Sequence, residues 1–241
     1  MQRALLGMLT PSSNTVLEPI TADMLRGVPH ASAHFGRFAV TSIALNEGAL
    51  AQFATPEVIK AAELLGHARC QVIGWSGTSS SWLGFDSDVR LCKDIELTTG
   101  AKGCTSVLAI NEILQKTGAR KLALVSPYLD NVQEAIIRNY QNAGYVMVAE
   151  RHLGLEDNYS FSDVTSAQLE LMIREVALAE PDAILIMCTN LRGAPIVERL
   201  EKDLGIPIYD SVATVVWKSL QLAGIDTKLI ESWGRLFREV A

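Results

Sequence analysis

The residues best placed to do chemistry are one thiol and a few short polar loops. In ILIMCTNLRG (184–193) an apolar run ends at Cys188, and Thr189, Asn190, Leu191 and Arg192 follow. Such a run reads as a buried parallel strand, and the polar residues read as the loop where it surfaces. A thiol at that lip can act as a nucleophile once ionised, or give a proton to a carbanion. The competing reading is a small buried core residue. GTSSSW (77–82) offers Thr78 and Ser79 hydroxyls and backbone N–H groups at a helix start. These suit a carboxylate or oxyanion, or simply cap the helix. PSSNT (11–15) holds Ser12 and Asn14, whose amide can clamp a carboxylate without charge or serve a turn. Tyr128, after Pro127, can put a phenol in the same place, and Asn158 in EDNYSF (156–161) is a further amide ahead of a helix expected near Asp163. Arg192 either attracts an anion or starts a solvated helix.

The rest of the chain narrows the chemistry. The four histidines (His30, His34, His67, His152) are scattered, so neither a Cys–His couple nor a metal site is expected. No G-x-G-x-x-G follows the first strand and no G-K-[ST] loop is present, so no nucleotide cofactor is expected, nor any other. The four cysteines (Cys70, Cys92, Cys104, Cys188) lack C-x-x-C spacing and read as free thiols of a reducing cytosol. A net charge of −6 and a pI near 5.3 argue against a nucleic-acid partner. No apolar run nears the roughly 20 residues that span a bilayer, and MQRALLGMLTP lacks the pattern of a signal peptide. A cytoplasmic protein without a membrane partner is the expectation.

These loops need a scaffold, and 241 residues provide ample core for it. Strand-like runs at 4–10, 34–43, 70–76, 121–126, 145–150, 183–188 and 206–209 alternate with helical periodicity at 56–69, 105–117, 130–143, 165–180, 195–204 and 212–223. Alternation implies an α/β fold of parallel sheets flanked by helices, with ligands at the strands' carboxyl ends. A weak internal repeat adds detail. LLGMLTPS (5–12) resembles KLALVSPY (121–128), VIGWSGTS (72–79) resembles ILIMCTN (184–190), and 96–118 resembles 201–224. Two Rossmann-like half-domains related by a pseudo-twofold axis follow, with the active-site cleft between them. The first would span 1–103, completed by 210–241, and the second 104–209. The repeat sets Gly77 opposite Cys188, Thr78 opposite Thr189 and Ser79 opposite Asn190. Gly77 would leave room for a ligand facing the thiol.

PSSNT, GTSSS (77–81), Pro-Tyr (127–128), EDN (156–158) and CTNLR (188–192) together resemble the aspartate/glutamate racemase superfamily, in the branch of maleate cis–trans isomerases and arylmalonate decarboxylases. The resemblance covers essentially the whole chain. It implies that racemases and isomerases of this kind use two facing thiols, and that the isomerase thiol of the first half adds to the double bond. Gly77 stands at that position here. Decarboxylases of the branch have glycine there and keep only the second cysteine, the pattern of Gly77 with Cys188. Asn14, Asn158 and Thr189-Asn190 instead resemble the isomerase side, because decarboxylases have a less polar first loop and glycines after the cysteine.

The reading drawn from this is a cofactor-free decarboxylase of a substituted malonate-like dicarboxylate. Thr78, Ser79, Tyr128 and N–H groups near Thr189 would hold one carboxylate, while the other would face a less polar wall. Leu17, Trp82 and Met187 are candidates for that wall. Cys188 would protonate the enediolate. The alternatives are a maleate isomerase-like or racemase-type isomerase working with one thiol, and a dicarboxylate-binding relative without activity. The expected partner is a small carboxylate. Dimers are common among proteins, so a homo-oligomer is allowed, although no residue pattern specifies one.

Overall fold

Strands that are apolar along their whole length need cover on both faces, and helices supply it in two parallel sheets. The computed structural model describes residues 3–53 and 55–240. The first sheet has the order β2-β1-β3-β4, from β1 (Ala4–Pro11), β2 (Ala31–Phe38), β3 (Val72–Trp75) and β4 (Lys102–Thr105). The second has the order β6-β5-β7-β8, from β5 (Lys121–Ser126), β6 (Val146–His152), β7 (Ala183–Ile186) and β8 (Ile208–Asp210). The helices are α1 (Leu17–Leu25), α2 (Glu47–Ala51), α3 (Thr55–His67), α4 (Ser80–Leu83), α5 (Asp86–Thr99), α6 (Ser106–Thr117), α7 (Asp130–Asn142), α8 (Ser166–Ala177), α9 (Ala194–Leu204), α10 (Ser211–Leu222) and α11 (Leu236–Glu239). Among the described residues no helix is long and apolar enough to cross a membrane.

The repeat is kept down to register. Leu9 pairs with Trp75 in the first sheet and Val125 with Ile186 in the second. Gly77 and Cys188 each follow two residues later, at equivalent strand ends. Glu96 and Glu201 occupy matching places at the ends of α5 and α9. Glu96 Oε1 accepts the Gly103 N–H (3.2 Å), and Glu201 Oε1 accepts the Ile208 N–H (2.8 Å). Both helices end at a left-handed glycine, Gly100 (φ 71°) and Gly205 (φ 74°), where other residues would be strained. The helices that follow, α6 and α10, are capped by Thr105 and Asp210 and pack on each other. α10 also contacts β3 and β4 of the first sheet.

Three features differ from the sequence reading. The strand expected at 34–43 lies at Ala31–Phe38. Residues beyond it turn toward the second half, where the Ile43 N–H donates to Glu156 O and Ser42 bridges Asp157. The segment is apolar but satisfies its backbone outside the sheet. A short 3-10 helix at Ser160–Asp163 also precedes α8, which starts at Ser166 rather than near Asp163. Thr165 and Gln168 form a capping box that fixes this start. Finally, α1, α2, α4, α5, α11 and β4 lie outside the runs named above; β4 is the four-residue KGCT, too short and too polar to show a period.

Glu201 is buried and also accepts the Arg235 N–H (2.7 Å), whereas Glu96 is exposed. Glu201→Ala leaves two amides unpaired and is expected to cost about 2–3 kcal/mol, against less than about 1 kcal/mol for Glu96→Ala. Urea unfolding of the two variants measures the difference.

Candidate active site

β7 and its loop deliver Cys188 to the joint between the halves, where it is 2% exposed. The Cys188 N–H donates to Ser211 Oγ (3.2 Å), and the Asn190 N–H donates to the sulfur (3.4 Å). The Tyr128 phenol lies beside the sulfur, and its hydroxyl shares a 2.7 Å hydrogen bond with Thr78 Oγ1 of the other half. Burial pushes the Cys188 thiol up to about 12, against the help of the Asn190 amide and Tyr128. The nearby Asp210 carboxylate adds to the rise. Burial likewise pushes the Tyr128 phenol upward. At neutral pH the thiol holds its proton.

Polar side chains around Cys188 are tied to one another across the joint. Asn14 Nδ2 donates to Thr189 Oγ1 (3.2 Å), which donates to Ser76 O (3.1 Å). Asn14 Oδ1 caps α1 by accepting the Val16 and Leu17 N–H groups (3.0 and 2.9 Å). Asn190 Oδ1 accepts the Thr15 N–H (3.0 Å), and its Nδ2 donates to Asn158 O (2.6 Å). Asn158 Nδ2 donates to Ser13 Oγ (2.8 Å). Buried polar atoms are costly unless paired, so each amide here finds a partner.

The position opposite the thiol is filled. A Cβ at Gly77 would lie 2.1–2.5 Å from three atoms of the Trp75 ring. The indole is pinned by its Nε1–H, which donates to Ser79 Oγ (3.2 Å), and it lies 5.1 Å from the Phe38 ring. Trp75 and Ser79 also border a cavity of about 150 Å³ that reaches Asp88. Burial pushes the Asp88 carboxyl up to about 6, although Thr105 and Ser80 hydroxyls favour its charge. On the other side, Tyr128 meets Trp82 and Phe161 edge-on, with ring centroids 5.1 and 5.6 Å away.

The structure thus gathers Asn14, Gly77, Thr78, Tyr128, Asn158, Thr189 and Asn190 around the Cys188 loop, whereas Ser79 holds the Trp75 indole. Ser12 is not among them: it is exposed, and its Oγ accepts the Val40 N–H (3.1 Å). Ser13, its neighbour, makes the contact to Asn158. Arg192 is exposed. The Ser76 hydroxyl turns away to Met8 Sδ (3.6 Å). Sequence reasoning missed Trp75, which sits in an apolar strand, and Asp210, which sits at the start of a helix. The repeat held a signal for the second, because Thr105 stands at the matching place.

Two Rossmann-like halves with a buried thiol at their joint define an architecture shared by known enzymes. The chain belongs to the arylmalonate decarboxylase family, whose model matches residues 18–237. It is similar to the arylmalonate decarboxylase of Bordetella bronchiseptica, with 27% identity over 237 residues, 97% of this chain and 96% of that one. It is also similar to the maleate isomerase of Nocardia farcinica, with 26% identity over 245 residues, 97% of this chain and 95% of that one. A solved structure of the Nocardia farcinica maleate cis–trans isomerase, a cysteine-to-serine mutant with a covalently bound succinylcysteine intermediate, superposes with a TM-score of 0.90 at 21% identity, covering 99% of each chain. The relatives are therefore enzymes of two kinds, and identity does not separate them.

Asp88 gives a pH signature. Below about pH 3.8 it is neutral folded or unfolded; above that the unfolded chain ionises it while the folded chain keeps the proton to about pH 6. The stability it lends in acid is lost as pH rises through that window. The stability of Asp88→Asn relative to the parent is expected to improve by roughly 2 kcal/mol between about pH 4 and about pH 7.5. Denaturant titrations at the two pH values check the sign.

Proposed function

We propose that the protein is a cofactor-free decarboxylase of a substituted malonate-like dicarboxylate, with Cys188 as the single proton donor. The observation that carries this reading is the Trp75 indole over Gly77. No side chain fits at the place of a first thiol, so chemistry that needs two facing thiols lacks one of them. The second support is the state of Cys188. A buried thiol that keeps its proton is suited to donating it and poorly suited to adding to a double bond, which requires the thiolate.

The reaction then runs on groups already gathered at the joint. One substrate carboxylate takes hydrogen bonds from Thr78 and Tyr128, which trade their mutual bond for charge-assisted ones. The other carboxylate faces the aromatic wall of Trp82 and Phe161, where charge is poorly solvated. Its C–C bond breaks, CO₂ leaves, and the electron pair enters an enediolate stabilised by the same donors. Cys188 gives its proton to the α-carbon, and the resulting thiolate regains one from water. The amides of Asn14, Asn158 and Asn190 serve mainly to join the halves, so their polarity does not call for a more polar substrate.

A one-thiol isomerase is the second reading, favoured by the near-equal identity to a maleate isomerase and the close fit of an isomerase backbone. Proton NMR in D₂O with malonates and maleate separates the two. CO₂ loss with one deuterium gained at the α-carbon is expected; conversion of maleate to fumarate without mass loss would favour the isomerase. Cys188→Ala is expected to lower kcat on the malonate at least about 10²-fold, and full turnover by this variant would overturn the proposal. Gly77→Cys is expected to cost about 1–3 kcal/mol in stability through overpacking, and to gain no two-thiol chemistry. Combining it with Trp75→Ala should relieve the clash, as thermal unfolding of both variants would show.

A further inference from the structure

Asp210 is buried at the N-cap of α10, and only half of its carboxylate is used. Oδ1 accepts the Val212 and Ala213 N–H groups (2.8 and 3.3 Å). Oδ2 has no partner at hydrogen-bonding geometry, although the Ala194 amide is close enough to favour its charge. This oxygen lies under the loop that carries the thiol, since a Cβ at Gly193 would sit 2.6 Å from it. Asp210 pairs with Ile186 across β7 and β8, two residues before Cys188, and its neighbour Ser211 accepts the Cys188 N–H. The carboxylate thus sits on the strand beside the one that leads to Cys188, and both groups are buried, where screening is weak.

The other half handles the same joint differently. Thr105 stands where Asp210 does and caps α6 with a neutral hydroxyl, accepting the Leu108 N–H (3.0 Å). The first half's carboxyl comes instead from α5, where Asp88 takes the place that Gly193 holds in the second half. A helix cap at this joint therefore needs no charge. Only the half with a thiol at the end of its third strand puts the acid on the cap beside it.

Resting on the decarboxylase reading, we propose that Asp210 is a positioning residue for the reaction: its uncompensated carboxylate adds to burial in holding Cys188 as the thiol. The sulfur then serves as a proton donor and is kept from acting as a nucleophile. After the proton has passed to carbon, the same charge drives the thiolate to take up a proton again. Cys188, two residues past the end of β7, is the titratable group Asp210 acts on, and the Tyr128 phenol bonds to its sulfur; burial pushes Asp210 itself up to about 7, so its hold on the sulfur strengthens above neutral pH.

The test uses the full chain labelled with ¹³C at cysteine Cβ, and Cys188 is assigned through Cys188→Ser. The thiol is titrated by NMR in the resting protein and in Asp210→Asn and Asp210→Thr, the latter being the first half's own solution. Both variants are expected to show a roughly tenfold larger Cys188 thiolate fraction at a given alkaline pH. Their kcat on the malonate should fall more than KM changes, with the alkaline limb of the pH profile displaced toward lower pH. An unchanged Cys188 titration in a folded Asp210→Thr would overturn the proposal, leaving Asp210 a helix cap only. The titration needs no substrate, so it can succeed while the decarboxylase reading fails: the sulfur would respond to Asp210 in a protein that turns over no malonate.

Discussion

A polar loop buried between two apolar sheets must find all of its hydrogen-bond partners inside the protein, and this constraint organises the joint. The loop after β7 carries Thr189 and Asn190 into a place water does not reach. An unpaired polar group there would cost about 1–3 kcal/mol. Each partner comes from the opposite half or from the loop at 156–158: Asn14, Ser76, Thr15 and Asn158. The same bonds that satisfy the loop therefore hold the halves together and fix where the sulfur stands. Polar satisfaction, more than apolar contact, gives the joint its one arrangement.

Symmetry is kept where it stabilises and broken at the candidate site. The glutamates that tie α5 and α9 to the following strands, the left-handed glycines and the helix caps are all duplicated. At the strand ends the two halves diverge. One has Gly77 under an indole, and the other has Cys188 beside a phenol. The acid of each half has also moved, to α5 in one and to the cap of α10 in the other. A duplicated scaffold can carry such differences because each substitution sits on a strand end or a first helical turn, where the ladder of backbone hydrogen bonds no longer dictates the side chain.

Much of this was legible in the sequence. Apolar runs such as 121–126 and 183–188 identify strands because both faces of a parallel sheet are buried. The match of VIGWSGTS to ILIMCTN carried the Gly77–Cys188 correspondence into the correct register, since a strand position is set by counting along the chain. What remained hidden depended on rotamers and partners. Trp75 alternates into the strand pattern as any core aromatic would, and nothing in the sequence says that its ring folds back over Gly77. Ser12 and Ser13 are adjacent and chemically alike; only the twist at the end of β1 decides that Ser13 faces Asn158 while Ser12 faces solvent. The amides of Asn14 and Asn190 look like ligands for a substrate until their donors and acceptors are assigned to one another.

The closed joint also bears on how a substrate enters. Thr78 and Tyr128 come from different halves and bond to each other at 2.7 Å, so a carboxylate reaching both must separate them. The exchange is favourable in charge, because two neutral hydroxyls pointing at an anion make stronger hydrogen bonds than they make with each other. The Asn14–Thr189 and Asn190–Asn158 bonds lie at the same joint and need not open for this. They can act as the hinge side while the Thr78–Tyr128 contact acts as the mouth. On the decarboxylase proposal, the aromatic rings around Tyr128 would face the substrate's second carboxylate, which would have to lose its water before leaving as CO₂. On that proposal, the amide bonds would hold the halves while the Thr78–Tyr128 bond is exchanged, so that a site closed at rest could take a charged ligand.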